Sequence, residues 1–335
     1  MLVRHALAAA SLGFCAHAAA AQENFYAGKQ LQILVSTEPG TVYDAYARLV
    51  ARVIGDHIAG RPSVIVQNMP GGGGLRVANH VANVSPRDGT AIAATHNAVL
   101  TMSLVNPDAA KFSERELSWI GSVTRDPYMA VVRADVPIST IDDAKTTVVS
   151  MGGASAGSLG VDLPVISNAL FGTKLRVVGG YKDPGEVKLA MMRGEVDGTF
   201  SVSWSETKQA GLVQAGKLRI IAQHAFKPHP ELGGAPLLMD QAKTDADRAA
   251  LVFMLGRQEA ARPYFAPPGV PRDRLEMLRS AFMKTMRDPE FLRQSESMKL
   301  GIDEPMDGAS LADFVGKLMS TPRSVTERIA SISAA

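Results

Sequence analysis

In 335 residues the chain has a single cysteine, Cys15. It falls within an N-terminal stretch with the character of an export leader. The mature chain therefore has no disulfides, thiolate nucleophiles or thiolate metal ligands. Aromatic residues make up 6% of the chain and only two are tryptophan, so few side chains are available for a base- or sugar-stacking platform. Lys and Arg number 35 against 33 Asp and Glu, and they are scattered, without the basic run that nucleic acid demands. No apolar run approaches the roughly 20 residues that span a bilayer. The five histidines outside the leader, His57, His80, His96, His224 and His229, show neither an i, i+4 pairing nor close carboxylates, so no metal is expected. Gly71-Gly72-Gly73-Gly74 runs into Leu75-Arg76-Val77 without the third glycine of a dinucleotide fingerprint, and no Gly-Lys-Ser/Thr follows. No cofactor is expected.

What is present begins with that leader. Met1–Arg4 is a cationic head, Leu7–Ala16 an apolar run, and Ala18–Ala21 a small-residue stretch that suits cleavage after Ala21. Residues 1–21 thus read as a signal peptide and the mature protein as exported to the periplasm. Phe14 stands where a lipidated cysteine needs a small residue before it, which argues against a lipid anchor on Cys15. The remaining chain, 46% apolar and 20% charged over the whole sequence, is ordinary globular material and long enough for two domains.

Short β-rich runs alternate with helix-period runs. They are Leu31–Ser36, Ser63–Gln67, Thr90–Ala94, Thr147–Met151, Leu175–Val178, Gly198–Ser201 and Leu218–Ala222. The spacing predicts βαβ units, an α/β class and mainly parallel sheets. In the first helical run Tyr46, Leu49, Val50 and Val53 share one stripe and Arg48 and Arg52 lie opposite; Gly55, Gly60 and Pro62 end it. Irregular, proline-bearing stretches near Arg125–Arg133 and Leu255–Pro268 suit two crossings between lobes. The expected organisation is lobe 1 from 22–125 and 256–335, with lobe 2, 126–255, inserted.

Two motifs bear on chemistry. Gly153-Ala154-Ser155-Ala156-Gly157 is a formal G-x-S-x-G between a strand and a helix, the context of a nucleophile elbow. Asp197 with His224 or His229 supplies the order Ser, Asp, His, and Gly71–Gly74 can be read as an oxyanion loop. A serine hydrolase using Ser155 is therefore one reading. The other is that a serine and free amides at a helix N-terminus bind an anion. Thr41-Val42-Tyr43-Asp44 reads as a capping box, which gives Asp44 a structural role beside any ligand role.

Several segments in order resemble one family: Leu34–Arg48, Val64–Gly74 (VIVQNMPGGGG), Asp88-Gly89-Thr90, Gly153–Ser158, Gly179-Gly180-Tyr181, Arg193–Asp197, Gly216–Arg219 and Ala266–Pro271. They look like the substrate-binding proteins of tripartite tricarboxylate transporters, the Bug or TctC-like family. The resemblance implies a periplasmic-binding-protein fold (type II-like), two α/β lobes joined by two crossover segments with a ligand cleft between them. It also implies an exported solute-binding protein, not an enzyme, that captures a small carboxylate (a dicarboxylate, tricarboxylate or aromatic acid) and delivers it to membrane permease subunits. A periplasmic sensor subunit is a further alternative, and a monomer is the default. In the family the turn after the first strand grips a carboxylate through backbone amides and water. That places Ser36, Thr37, Gly40, Thr41 and Asp44 at the ligand, with His96 and Asn97 at the end of the third strand. From the other lobe come Ser155 and Gly157, with Tyr181, Ser201 and Trp204 where the second jaw closes. Tyr181 and Trp204 equally suit lobe packing, and Ser201 and Ser203 suit the satisfaction of backbone groups. One departure stands out: Gly40-Thr41-Val42-Tyr43 replaces the glycine pair of many relatives, so bulkier side chains approach the mouth.

Overall fold

A computed structural model of the chain describes residues 25–154, 158–181 and 184–333. The expected leader, 1–21, and two expected ligand residues, Ser155 and Gly157, lie outside the described residues. In chain order the elements are β1 (Gln30–Val35), α1 (Val42–Ile54), β2 (Ser63–Asn68), α2 (Leu75–Asn83), β3 (Ala91–Ala94), α3 (Met102–Val105), β4 (Ser118–Ser122), β5 (Tyr128–Arg133), β6 (Val149–Gly152) and α4 (Leu159–Phe171). Next come β7 (Leu175–Val178), α5 (Pro184–Arg193), β8 (Gly198–Ser203), α6 (Trp204–Ala210), β9 (Leu218–His224) and α7 (Asp245–Gly256). The chain finishes with β10 (Pro263–Ala266), α8 (Arg272–Thr285), α9 (Pro289–Ser297), β11 (Met306–Asp307), α10 (Gly308–Leu318) and α11 (Arg323–Ser333). Among the described residues no helix is long and apolar enough to cross a membrane.

The described residues form two compact α/β units: 25–123 with 262–298 and 305–312, and 124–261 with 299–304 and 313–333. The sheet of unit 1 has the order β11-β4-β10-β3-β1-β2. In it β1 runs parallel to β2 and β3, while β10 and β11 are antiparallel to their neighbours. The sheet of unit 2 has the order β7-β6-β8-β5-β9, with β6 parallel to β7 and β8, and β5 antiparallel to β8 and β9. Both sheets are therefore mixed, where mainly parallel ones were expected. Parallel pairing needs a crossover connection of a dozen or more residues, usually helical. The βαβ runs have one; the antiparallel strands β5, β10 and β11 instead each follow a passage of the chain from one unit to the other. The two irregular stretches read as crossings contain strands β5 and β10 themselves. The C-terminal residues 313–333, expected with lobe 1, belong to unit 2, where α11 packs on α4 and α7.

Sequence pattern explains the elements that carry the site. β1 lies between β3 and β2, and Leu31, Ile33, Leu34 and Val35 are all buried, so both faces of the strand are covered. α1 buries Tyr46, Ala47, Leu49, Val50, Val53 and Ile54 and leaves Arg48 exposed. Its end is fixed at Gly55, where a Cβ would lie 2.8 Å from the Pro62 carbonyl oxygen.

Candidate functional site

In open α/β sheets ligands bind beyond the carboxyl ends of the strands, where the strand order reverses. In unit 1 the chain passes from β1 through α1 to β2 on one side, then through α2 to β3 on the other side of β1. The reversal lies between β1 and β3, and the loops leaving those two strands carry Ser36–Thr41 and His96–Asn97. In unit 2 the same logic puts the reversal between β6 and β8, which are followed by Gly153 and Ala154 and by Trp204 at the start of α6.

The turn after β1 is built by its own side chains. Thr41 caps α1, its hydroxyl accepting from the Asp44 N–H (3.3 Å) and donating to the Glu38 carbonyl (3.0 Å). With that single proton spent, Thr37 must be the donor in the 2.7 Å contact between the two threonine hydroxyls. Asp44 is buried and accepts from the Gly40 N–H (2.8 Å), Arg48 Nε (2.9 Å) and Asn68 Nδ2 (2.8 Å). Burial alone would raise its carboxyl. The hydrogen bonds from Arg48, Gly40 and Asn68, with the Arg48 charge, outweigh burial and hold it below the usual carboxylate range. Asn68, at the end of β2, also donates to the Thr37 carbonyl and so ties the turn to the sheet. Thr37, Gly40, Thr41 and Asp44 thus shape the turn with one another. What they present outward is backbone: the Val42 amide, first in α1, has no carbonyl of its own helix to bond.

Two more elements converge here. Ser36 Oγ accepts from the His96 N–H (2.9 Å), which leaves its hydroxyl proton to donate. His96 opens the 3-10 turn Asn97–Thr101 and caps it, its Nδ1 accepting from the Ala98 N–H (3.2 Å); in the neutral ring the proton then sits on Nε2. Asn97 is buried at the start of that turn. Gly74 caps α2 in the left-handed region (φ 104°), and a Cβ there would sit 3.6 Å from Ser36 Cβ and 3.8 Å from His96 Cβ. The cap of α2 and the 3-10 turn therefore meet at Ser36, and the start of α1 comes close through the Tyr43–His96 contact. The Leu75 and Arg76 amides are spent on the Gly72 and Gly71 carbonyls and the Ala98 amide on His96, so the helix start left to favour an anion is that of α1. Beside it the Tyr43 and His96 rings stack at 4.9 Å, and the guanidinium of buried Arg262 lies 4.3 Å from the Tyr43 centroid. The sequence reading did not single out Asn68, Gly74 as a cap, or Arg262. Only Asn68, ending the VIVQN strand, had a local signal.

In unit 2 the candidate side chains serve the unit's own structure. Trp204 is buried in the cluster of Met129, Val131 and Val202, and its indole N–H donates to Glu231 (2.8 Å). Tyr181 packs against the same cluster. Thr199 Oγ1 donates to the Gly152 carbonyl (2.8 Å), so the Ser201 hydroxyl donates to Thr199 (3.0 Å). Among the described residues Asp197 is bonded to neither His224 nor His229: it accepts from Ser150 N–H and Oγ and faces Arg133, binding β6 to the start of β8. His224 is buried against Phe200, and His229 accepts from the Glu231 N–H. A cavity of about 530 Å³ lies along β9 near Gly233 and Pro236. Its one arginine, Arg219, is committed to the carbonyls of Ala134, Val136 and Ile138, so the cavity offers no cation for an anionic ligand.

The family model described as the tripartite tricarboxylate transporter family receptor matches residues 47–315. The UPF0065 protein in the TAR-I ttuE-ttuC' intergenic region of Agrobacterium vitis is 25% identical over 282 residues, which cover 82% of this chain and 77% of the relative. Among solved structures, a TctC solute-binding protein from Polaromonas superposes with a TM-score of 0.72 at 18% identity, covering 90% of this chain and 99% of that one. A protein of R. palustris with adipate gives 0.62 at 19% identity (91% and 97% covered), and MatC from Rhodopseudomonas palustris with bound malate gives 0.59 at 18% (89% and 99%). At these identities the likeness shows the fold.

Proposed function

Because this chain belongs to the tripartite tricarboxylate transporter receptor family, which consists of solute-binding receptors and not enzymes, we propose that it is a periplasmic receptor that captures a small carboxylate and hands it to membrane permease subunits. The observation that carries the reading is the start of α1, with its Val42 amide, close to Ser36 and His96 at the strand-order reversal of unit 1. Such a site holds a carboxylate with neutral dipoles, the Val42 amide and the Ser36 hydroxyl among them, and avoids the desolvation cost of burying a paired arginine. The adipate and malate in two related structures support a carboxylate as the ligand class. Thr37, Gly40, Thr41 and Asp44 act by shaping the turn; Ser36, His96 and Asn97 line it. Ser155 and Gly157, outside the described residues, remain proposed ligand residues. Tyr181, Ser201 and Trp204 hold unit 2 together.

The test is a thermal-shift titration of the leaderless protein with adipate, malate and benzoate. A ligand at a hundred times its dissociation constant adds about 2.7 kcal/mol to stability, a shift of several degrees for a domain of this size. A saturable shift with at least one of them is expected. No shift with any, together with hydrolysis of a small ester, would overturn the reading.

A further inference from the structure

At the end of the unit 1 sheet opposite β11 lies β2, which among the described residues pairs only with β1. The amides of Ser63 and Met69 donate to the carbonyls of Lys29 and Val35. Along a parallel ladder alternate residues bond to the same side. Ser63, Ile65 and Gln67 therefore serve β1, while Val64, Val66 and Asn68 turn their backbone N–H and C=O groups outward. Nothing within the strand guards that edge: SVIVQN has no charged residue and no proline, and its register with β1 is unbroken. A shallow groove of about 300 Å³ runs beside it, lined by Val64 and Val66 of β2 and by Arg48, Ala51 and Arg52 of α1. The two valines are half-buried, and Ile65 on the opposite face is 37% exposed. Arg48 is neutralised by buried Asp44. Arg52 is exposed and, among the described residues, donates only to Gln294 Oε1 (3.0 Å), so its positive charge stands at the groove without a carboxylate partner.

We infer that the β2 edge is a docking surface for a partner protein that adds an extended, acidic segment as a further strand. Main-chain hydrogen bonds to Val64, Val66 and Asn68 give the attachment, and the apolar groove with Arg52 selects the sequence. Charge complementarity decides the occupant. A second copy pairing its own β2 edge about a two-fold axis keeps both α1 helices on the same face of the joined sheet, which brings like arginines together. A strand bearing carboxylates gains from the same charges. Val64, Val66 and Arg52 take no part in the carboxylate site, so docking here is independent of the receptor reading.

The experiment adds two short peptides, one of alternating Glu and Val and one of alternating Lys and Val, to the leaderless protein. It reads the anisotropy of the labelled peptide and residue-resolved amide hydrogen exchange. The Glu peptide should bind about fivefold or more tightly than the Lys peptide and slow exchange at Val64 and Val66 by about tenfold, while Ile65 and Gln67, already bonded to β1, change little. Arg52→Glu should weaken the Glu peptide by about fivefold. Val66→Pro, which removes an outward N–H from an edge strand, should weaken both peptides; if it fails to fold, the surface variant Arg52→Glu still gives the answer. No binding of the Glu peptide, equal binding of the two peptides, or protection of Val64 and Val66 in a concentration-dependent dimer without peptide would overturn the inference. Each of those results would leave carboxylate capture standing.

Discussion

His224 is fully buried at the end of β9, its ring 5.2 Å from that of Phe200, and among the described residues neither ring nitrogen has a hydrogen-bond partner. Burial disfavours the charged form and pulls its pKa down to about 3. The unfolded chain takes up this proton near pH 6.5 and the folded chain only near 3, so stability falls as pH drops through that interval. At pH 5 the loss from this one residue is about 2 kcal/mol, from 1.36 kcal/mol per pH unit. His224→Phe should therefore flatten the acid side of the melting-temperature profile and gain most between pH 6 and 4; parallel profiles for the two proteins would refute the assignment. The sequence placed His224 only in an order of residues that suits a hydrolase, because order carries no information about burial. Asp44 shows the complementary case. The Thr41 cap was legible from the spacing, but the expected return bond was not met: the Asp44 carboxylate takes the Gly40 N–H in place of the Thr41 amide, held there by Asn68 and Arg48.

Among the elements, α1 was the most legible. Its apolar stripe, its N-cap Thr41 and its stop at Gly55 are local features with a fixed period. Removing the cap in Thr41→Ala should cost about 1 kcal/mol, lowering the melting temperature of a domain of this size by roughly 2–4 °C. Thr41→Asn, which retains an acceptor, should recover most of that loss in scanning calorimetry; a loss as large as that of the alanine variant would show that the hydroxyl's other bonds, to Glu38 and Thr37, dominate. Strands β4, β10 and β11 left little trace. SWIGS and PYFA are buried on both faces and so lack alternation, and β11 is two residues long. Their antiparallel entry into the sheets comes from the long return of the chain, which no local window contains.

For the whole molecule, the alternation of strands and helices specified α/β units, and in each sheet the three mutually parallel strands contain one reversal of order. The position of the unit 1 reversal could be inferred once the order of β1, β2 and β3 was known, and it coincides with the turn singled out by family resemblance. The Tyr43, His96 and Arg262 grouping could not be read this way, because it joins three segments far apart in sequence. The central claim is that a carboxylate is held by the backbone at the start of α1, and Val42→Pro addresses it most directly. Proline suits the first position of a helix and the extended Thr41 before it (φ −75°, ψ 164°), so the substitution removes one N–H and little else. Calorimetric titration with whichever of adipate, malate or benzoate the wild type binds should show affinity reduced by about tenfold or more, the worth of a hydrogen bond to a charged group, with the melting temperature preserved. An unchanged affinity in a stable Val42→Pro protein would place the anion elsewhere and contradict the account.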